Sequence, residues 1–282
     1  MNRESFRLLL NVLCICLVFF SAVPHGYALD RPFDHSAWDK FLKKFVNEKG
    51  EVDYQAAKSD PVLLEEYLNQ IGRIDFRDFR DRWPREEKLA VLLNAYHAGL
   101  VRAIAHAYPV SSVQSIVGVW ENQDIRIAEV GYSLNNILAD RLIRAFRNEK
   151  IHAALFTGAK DSPRLHQEAF TGAKVEGQLF LAAKEFVNDP KANQIVPGEK
   201  KIRISSIFKW HAIDFLLNFG RNEPDQKFSE QEMAVISFLA HYLEDQNKVS
   251  YLEEKNYKIQ YLPFDWSLND WHSEKKATPP AS

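Results

Sequence analysis

Residues Arg85–Tyr108 read REEKLAVLLNAYHAGLVRAIAHAY, and the reading of this stretch decides the fold. Pro84 stands where a helix can begin, and Pro109 where the missing amide and the ring end one. Between Leu89 and Ile104 the helix is apolar on nearly every side, a pattern that belongs to a helix enclosed by other elements. It is expected to be the buried centre of the domain.

Upstream, Trp38, Phe41, Leu42, Phe45 and Val46 recur at helical spacing between Asp34, a possible cap, and Gly50. Asp60-Pro61 opens a second helix with Leu63, Leu64, Tyr67, Leu68 and Ile71 on its apolar face, closed by Gly72. Downstream, IRIAEV turns at Gly131 into YSL, which predicts a hairpin. IHAALF reads as a buried strand, and KIRISSIF and YKIQYLPF as alternating strands. Helices are expected at Asn136 to Asn148, Ala173 to Asn188, Trp210 to Phe219 and Ser229 to Leu243. The mixed order, without a strict βαβ rhythm, predicts an α+β class: a single domain whose central helix packs on a small, mostly antiparallel sheet. The charged runs KKFVNEKG and RDFRDRWPREEK carry both signs and read as solvated faces.

The amino terminus has the form of a secretory signal: two arginines in Met1 to Arg7, an apolar Leu8 to Val23, and Gly26-Tyr27-Ala28 at the positions a signal peptidase reads. Residues 1–28 are therefore expected to be removed near Ala28, leaving a periplasmic or secreted chain with no stable membrane span. An uncleaved anchor is the alternative, although the apolar run is short against the roughly 20 residues of a span. Both cysteines, Cys14 and Cys16, lie in the signal, so the exported chain would have no disulfide, no thiolate ligand and no thiol nucleophile. Loss of Arg3, Glu4 and Arg7, a net of +1, takes the formal charge from −2 to −3, which gives nucleic acid no electrostatic footprint. With 46% hydrophobic residues and no Gly/Ser or Pro-rich linker, residues 29–272 are expected to be one domain and 273–282 a disordered tail.

Few residues carry chemistry. In the central helix Asn94 and His97 interrupt an apolar face. A buried amide costs about 1–3 kcal/mol unless partnered, so Asn94 is either bonded to a loop backbone or lines a pocket as a donor. His152 sits in IHAALF, Ser162 precedes Pro163 in the loop that follows, and His166 is four residues on. Ser162 is a nucleophile only if an imidazole reaches it, and His152, His166 and His97 are the candidates. Its other reading is a turn residue pushed toward extended geometry by the proline. The histidines are scattered, with no HExxH-type pair and no His/Asp cluster at ligand spacing, so neither metal nor cofactor is expected.

Four ordered blocks, LLNAYHAGLV, GYSLNNILADRLIR, IHAALFTGAKDSPRLHQEAFTGAKVEGQLFLAAKEFVND and KIRISSIFKWHAIDF, resemble the bacterial and plant family known as domain of unknown function 547, over about Lys88 to Phe215. The resemblance implies a frame in the style of papain-like or transglutaminase-like thiol peptidases, with glutathione-type substrates suggested. It also implies a pocket that takes in Asn94, Tyr96, His152, Thr157, Asp161 and Ser162. Typical members read Ser-Cys-Pro where this chain has Asp161-Ser162-Pro163, and Ile-Glu-His where it has Ile137-Leu138-Ala139. A frequent second cysteine corresponds to Thr157. A serine hydroxyl needs a general base more than a thiol does, and the family's acid and imidazole are both replaced. Removing the nucleophile or base of a preorganised triad costs around six orders of magnitude in turnover. The resemblance thus implies a degenerate cleft that binds a peptide-like molecule or an exported protein. The alternative is a hydrolase rebuilt around Ser162.

Overall fold

The computed structural model describes residues 32–220 and 225–272. The expected signal and tail lie outside the described residues. The chain begins with α1 (Ser36–Phe45), α2 (Tyr54–Ser59), α3 (Val62–Gly72), α4 (Phe76–Asp81) and α5 (Arg85–Ala107). A hairpin of β1 (Ile125–Ile127) and β2 (Val130–Tyr132) follows, then α6 (Leu134–Asn136), a π-helical stretch Ile137–Ile143, α7 (Arg144–Phe146), α8 (Ile151–Ala154) and α9 (Val175–Asn188). The last third holds β3 (Asn193–Gln194), β4 (Lys201–Ile204), α10 (Ser206–Trp210), a 3-10 turn Ala212–Phe215, α11 (Leu216–Phe219), α12 (Glu230–Tyr242), α13 (Gln246–Glu254) and β5 (Lys258–Tyr261). The α+β class holds. No helix among the described residues is long and apolar enough to cross a membrane.

The central helix is α5, buried along its length from Leu89 to Val101. It packs against α2, α3 and the π-helical stretch, and it touches the hairpin through Gly99. A Cβ at Gly99 would meet Ile125 Cδ1 at 2.3 Å, so glycine is what lets β1 lie against the helix. The three-stranded sheet belongs to a second hydrophobic cluster, with α10 and α12. There β4 pairs antiparallel with β3 and parallel with β5.

The short α8 and the longer α9 join the clusters. Ile151 and Ala154 of α8 face the first and Ala153 the second. Along α9, Val175, Leu179 and Ala182 face the first cluster, and Ala183, Phe186 and Val187 the second. The seam between the cores therefore runs along α8 and α9.

Several expectations need correction. IHAALF is not a strand: Ile151, His152 and Ala153 donate their amides to the carbonyls three residues back, which makes α8 a single helical turn. A short apolar run does not distinguish a buried strand from a buried helical turn. KIRISSIF is a strand only to Ile204, because the Ser205 hydroxyl accepts the Ile207 amide and starts α10. YKIQYLPF contributes only β5 to the sheet, through Tyr261. The expected helix Trp210 to Phe219 is α10, a 3-10 turn and α11 in succession. RDFRDRWPREEK contains most of α4, which buries none of its residues, in keeping with a solvated face, and is capped by Asp75 accepting the Asp78 amide; neither α4 nor α13 had a helix expectation from the sequence.

Candidate functional site

The loop after α8 is held from one side by the carboxy-terminal segment. Lys160 donates its amide to Ser267 O at 2.9 Å, Asn269 donates to Gly158 O at 2.9 Å, and the Asp161 carboxylate accepts the Asp265 amide at 2.7 Å. Gly158, at φ +79, makes the turn that aims the loop outward. So placed, Asp161, Ser162, Pro163 and Arg164 form one wall of a cleft of about 840 Å³, with Ala182, Glu185 and Phe186 of α9 opposite. Lys160, Arg164 and Lys184 face it alongside Asp161, Glu185 and Asp265, so both signs of charge line it.

The Ser162 hydroxyl faces its own turn, hydrogen-bonding Ala159 O at 2.9 Å and Pro163 O at 3.2 Å. Its amide also donates to Ala159 O. Among the described residues no imidazole is hydrogen-bonded to it. His166 lines the same cleft, with Nε2 3.5 Å from the Glu185 carboxylate, and burial lowers its pKa.

Behind the cleft, Arg164 and His166 also border a void of about 10 Å³ shared with Asn94, His97, Trp38 and Phe170, room for about one water. Asn94 is fully buried there. Its amide donates to Phe170 O at 2.8 Å and accepts from Phe170 N at 3.0 Å. Its Nδ2 also lies 3.0 Å from His35 Nδ1. The amide thus holds a loop backbone, the structural of the two roles open to it. His97 Nε2 accepts the Phe156 amide at 3.1 Å, and burial, followed by the proximity of His166, pushes its pKa down to about 3.

The remaining pocket residues expected from the resemblance are not brought to the cleft. Tyr96 is buried in the core, its hydroxyl pKa raised by burial. Thr157 has a buried Oγ1 without a hydrogen-bond partner and lines neither cavity. Leu138 and Ala139, at the family's Glu-His positions, lie in the π-helical stretch and do not line the cleft. His152 is 4% exposed and points elsewhere, so it does not share a cavity with Asn94.

His152 instead meets two residues that sequence spacing does not connect to it. Its Nε2 lies 2.8 Å from Asp214 Oδ2, and the His211 ring stacks on it at 4.0 Å and 15°. The hydrogen bond from His152 holds the Asp214 carboxyl below its usual range, and desolvation, then the neighbouring His152, pushes His211 down to about 3. No motif could have found this cluster, because His152 and His211 are far apart in the chain and only the fold joins them. The one available signal was the pairing of two histidines with an Asp-Phe in the last two similar blocks.

No curated protein and no solved structure matches the chain. Residues 80–187, from the end of α4 through most of α9, match the family model described as Protein of unknown function, DUF547, and the match is confined to that stretch, less than half of the chain.

Proposed function

We propose that this chain is an exported binding module whose cleft keeps a peptidase-like frame, in the style of papain or transglutaminase, without its chemistry. The observation that carries this reading is the Ser162 hydroxyl, engaged with the carbonyls of Ala159 and Pro163 and with no imidazole on it. A serine without a base is a very weak nucleophile at neutral pH. The cleft suits a ligand with both an ammonium and a carboxylate group, since basic and acidic side chains face it together. A peptide-like small molecule or an extended segment of an exported protein has that chemistry. Its place of action is the periplasm or the outside of the cell, after cleavage near Ala28.

A second reading is supported by one specific observation. His166 shares the cleft with Ser162 and lies against Glu185, the order of groups a rebuilt hydrolase would use. Turnover of small amide, γ-glutamyl and ester substrates by wild type, Ser162→Ala and His166→Ala separates the two. The binding reading expects no turnover above background in any of the three. Hydrolysis by the wild type that is lost in Ser162→Ala and falls in His166→Ala would establish the hydrolase instead.

A further inference from the structure

His152, His211 and Asp214 each offer one ligand atom, and these atoms all lie within 4.8 Å of one another. We propose that the three side chains form a site for one divalent transition-metal ion, zinc foremost, with a remaining coordination position open to water. None of the three side chains lines the Ser162 cleft, so the proposal does not depend on what the cleft binds.

The donor set selects the class of ion. Two imidazoles and one carboxylate suit zinc and neighbouring transition metals, whereas magnesium and calcium prefer oxygen ligands throughout. Three protein ligands with one position left over is also the arrangement of zinc sites that hold a water or substrate.

The geometry is close to what an ion requires. Donors around zinc lie about 2.0–2.2 Å from it, which puts neighbouring donors roughly 3.3 Å apart. His152 Nε2 and Asp214 Oδ2, at 2.8 Å, need only spread slightly. His152 is the fixed ligand: its side chain is 3% exposed, and it is carried by α8, which packs on α9. His211 is the movable one. Its side chain is one-third exposed, its Nδ1 is 4.0 Å from Asp214 Oδ2, and tilting its ring off His152 brings a nitrogen toward the same point. The exposed edges of His211 and Asp214 give the ion its path in.

The proton balance is simple. The His152 Nε2–H donates to the carboxylate; the ion takes the place of that proton, which moves by way of solvent to Nδ1 if the ring is neutral and is released to solvent if the ring is protonated, so that a neutral imidazole is the ligand in either case. The imidazole–carboxylate bond is then exchanged for two bonds to the metal.

The test uses the full chain stripped with a chelator and titrated with Zn²⁺ by calorimetry and with Co²⁺ by visible absorption. One Zn²⁺ per chain is expected, with cobalt bands of a nitrogen and oxygen site. His211→Ala should weaken zinc by at least about tenfold, the loss that even an outer partner of a metal ligand brings, and should abolish the cobalt bands. Asp214→Asn should act in the same direction. His272→Ala, which removes a surface histidine paired with Asp53, should change nothing. Circular dichroism checks that each variant is folded, and the partly exposed His211 keeps the test decisive if Asp214→Asn is not. No stoichiometric binding by the wild type, or binding that survives His211→Ala, would overturn the proposal and leave the cluster a hydrogen-bonded histidine–aspartate pair under a stacked ring.

Discussion

The Asn94 side chain pairs with the Phe170 peptide as one strand pairs with another, donating to its carbonyl at 2.8 Å and accepting from its amide at 3.0 Å. This one amide fastens the loop that leaves the Ser162 wall to the most deeply buried helix. The Asn94 Nδ2 also lies 3.0 Å from His35 Nδ1, which is 2.8 Å from the Tyr67 hydroxyl, so the three side chains form one buried hydrogen-bonded group.

Asn94→Ala is expected to destabilise the protein by about 3 kcal/mol, because it leaves the Phe170 groups buried without partners. Asn94→Asp should be no better: it supplies an acceptor for the amide but no donor for the carbonyl. Urea unfolding measures both. A near-neutral Asn94→Asp would mean that the Phe170 loop is not held by this contact.

Gly99→Ala tests how β1 reaches α5. Alanine is the better helix former by about 1 kcal/mol, yet a Cβ here would lie 2.6 Å from Ile125 Cγ1. Overpacking of this kind costs about 1–3 kcal/mol, so the variant should be destabilised in spite of its propensity. Adding Ile125→Ala should make the glycine-to-alanine step itself less costly. An unchanged step in that background would put the hairpin elsewhere.

The acid dependence of stability follows from two buried histidines. Burial pushes His97 down to about 3 and His35 down to about 4, both below the ordinary value of 6.5. Below pH 6.5 the unfolded chain therefore takes up protons that the folded chain refuses. Their contribution is fully present above 6.5, is lost as pH falls, and levels off only below the folded values. Each histidine should contribute a slope of about 1.4 kcal/mol per pH unit in that window. His97→Gln removes one titration, so its stability should fall less steeply than the wild type's in urea unfolding between about pH 6.5 and 4.5. Parallel losses would show that His97 is not held neutral.

How much of this was legible in the sequence varied by element. The long helices α1, α3, α5, α9 and α12 repeat their apolar residues over several turns, so periodicity located them; the hairpin was legible from its alternating residues, but its turn is not at Gly131, which lies in β2 opposite Arg126, and falls instead at Ala128-Glu129, both at positive φ. The run Ile151–Phe156 was misread because a six-residue, mostly apolar run has no period to measure, and only the Asn148, Glu149 and Lys150 carbonyls close it into a turn. The Ser162 loop was visible as a loop, but the direction of its hydroxyl was not, since that depends on the Ala159 carbonyl and on a clamp from Asp265 and Ser267 far down the chain. His152 drew notice as a polar residue in an apolar run. Its partners did not, because tertiary packing alone stacks His211 on it.

The role of Ser162 is tested most directly by titrating short zwitterionic peptides, a γ-glutamyl tripeptide among them, into the wild type, Ser162→Ala and Ser162→Trp and measuring affinity by calorimetry. If Ser162 marks a binding wall rather than a nucleophile, the alanine variant should bind as the wild type does, because the lost hydroxyl bonded only to its own turn, while the tryptophan side chain should fill the cleft and abolish binding. Peptide affinity left intact by Ser162→Trp would contradict the assignment of the cleft and make Ser162 no more than a turn residue before a proline.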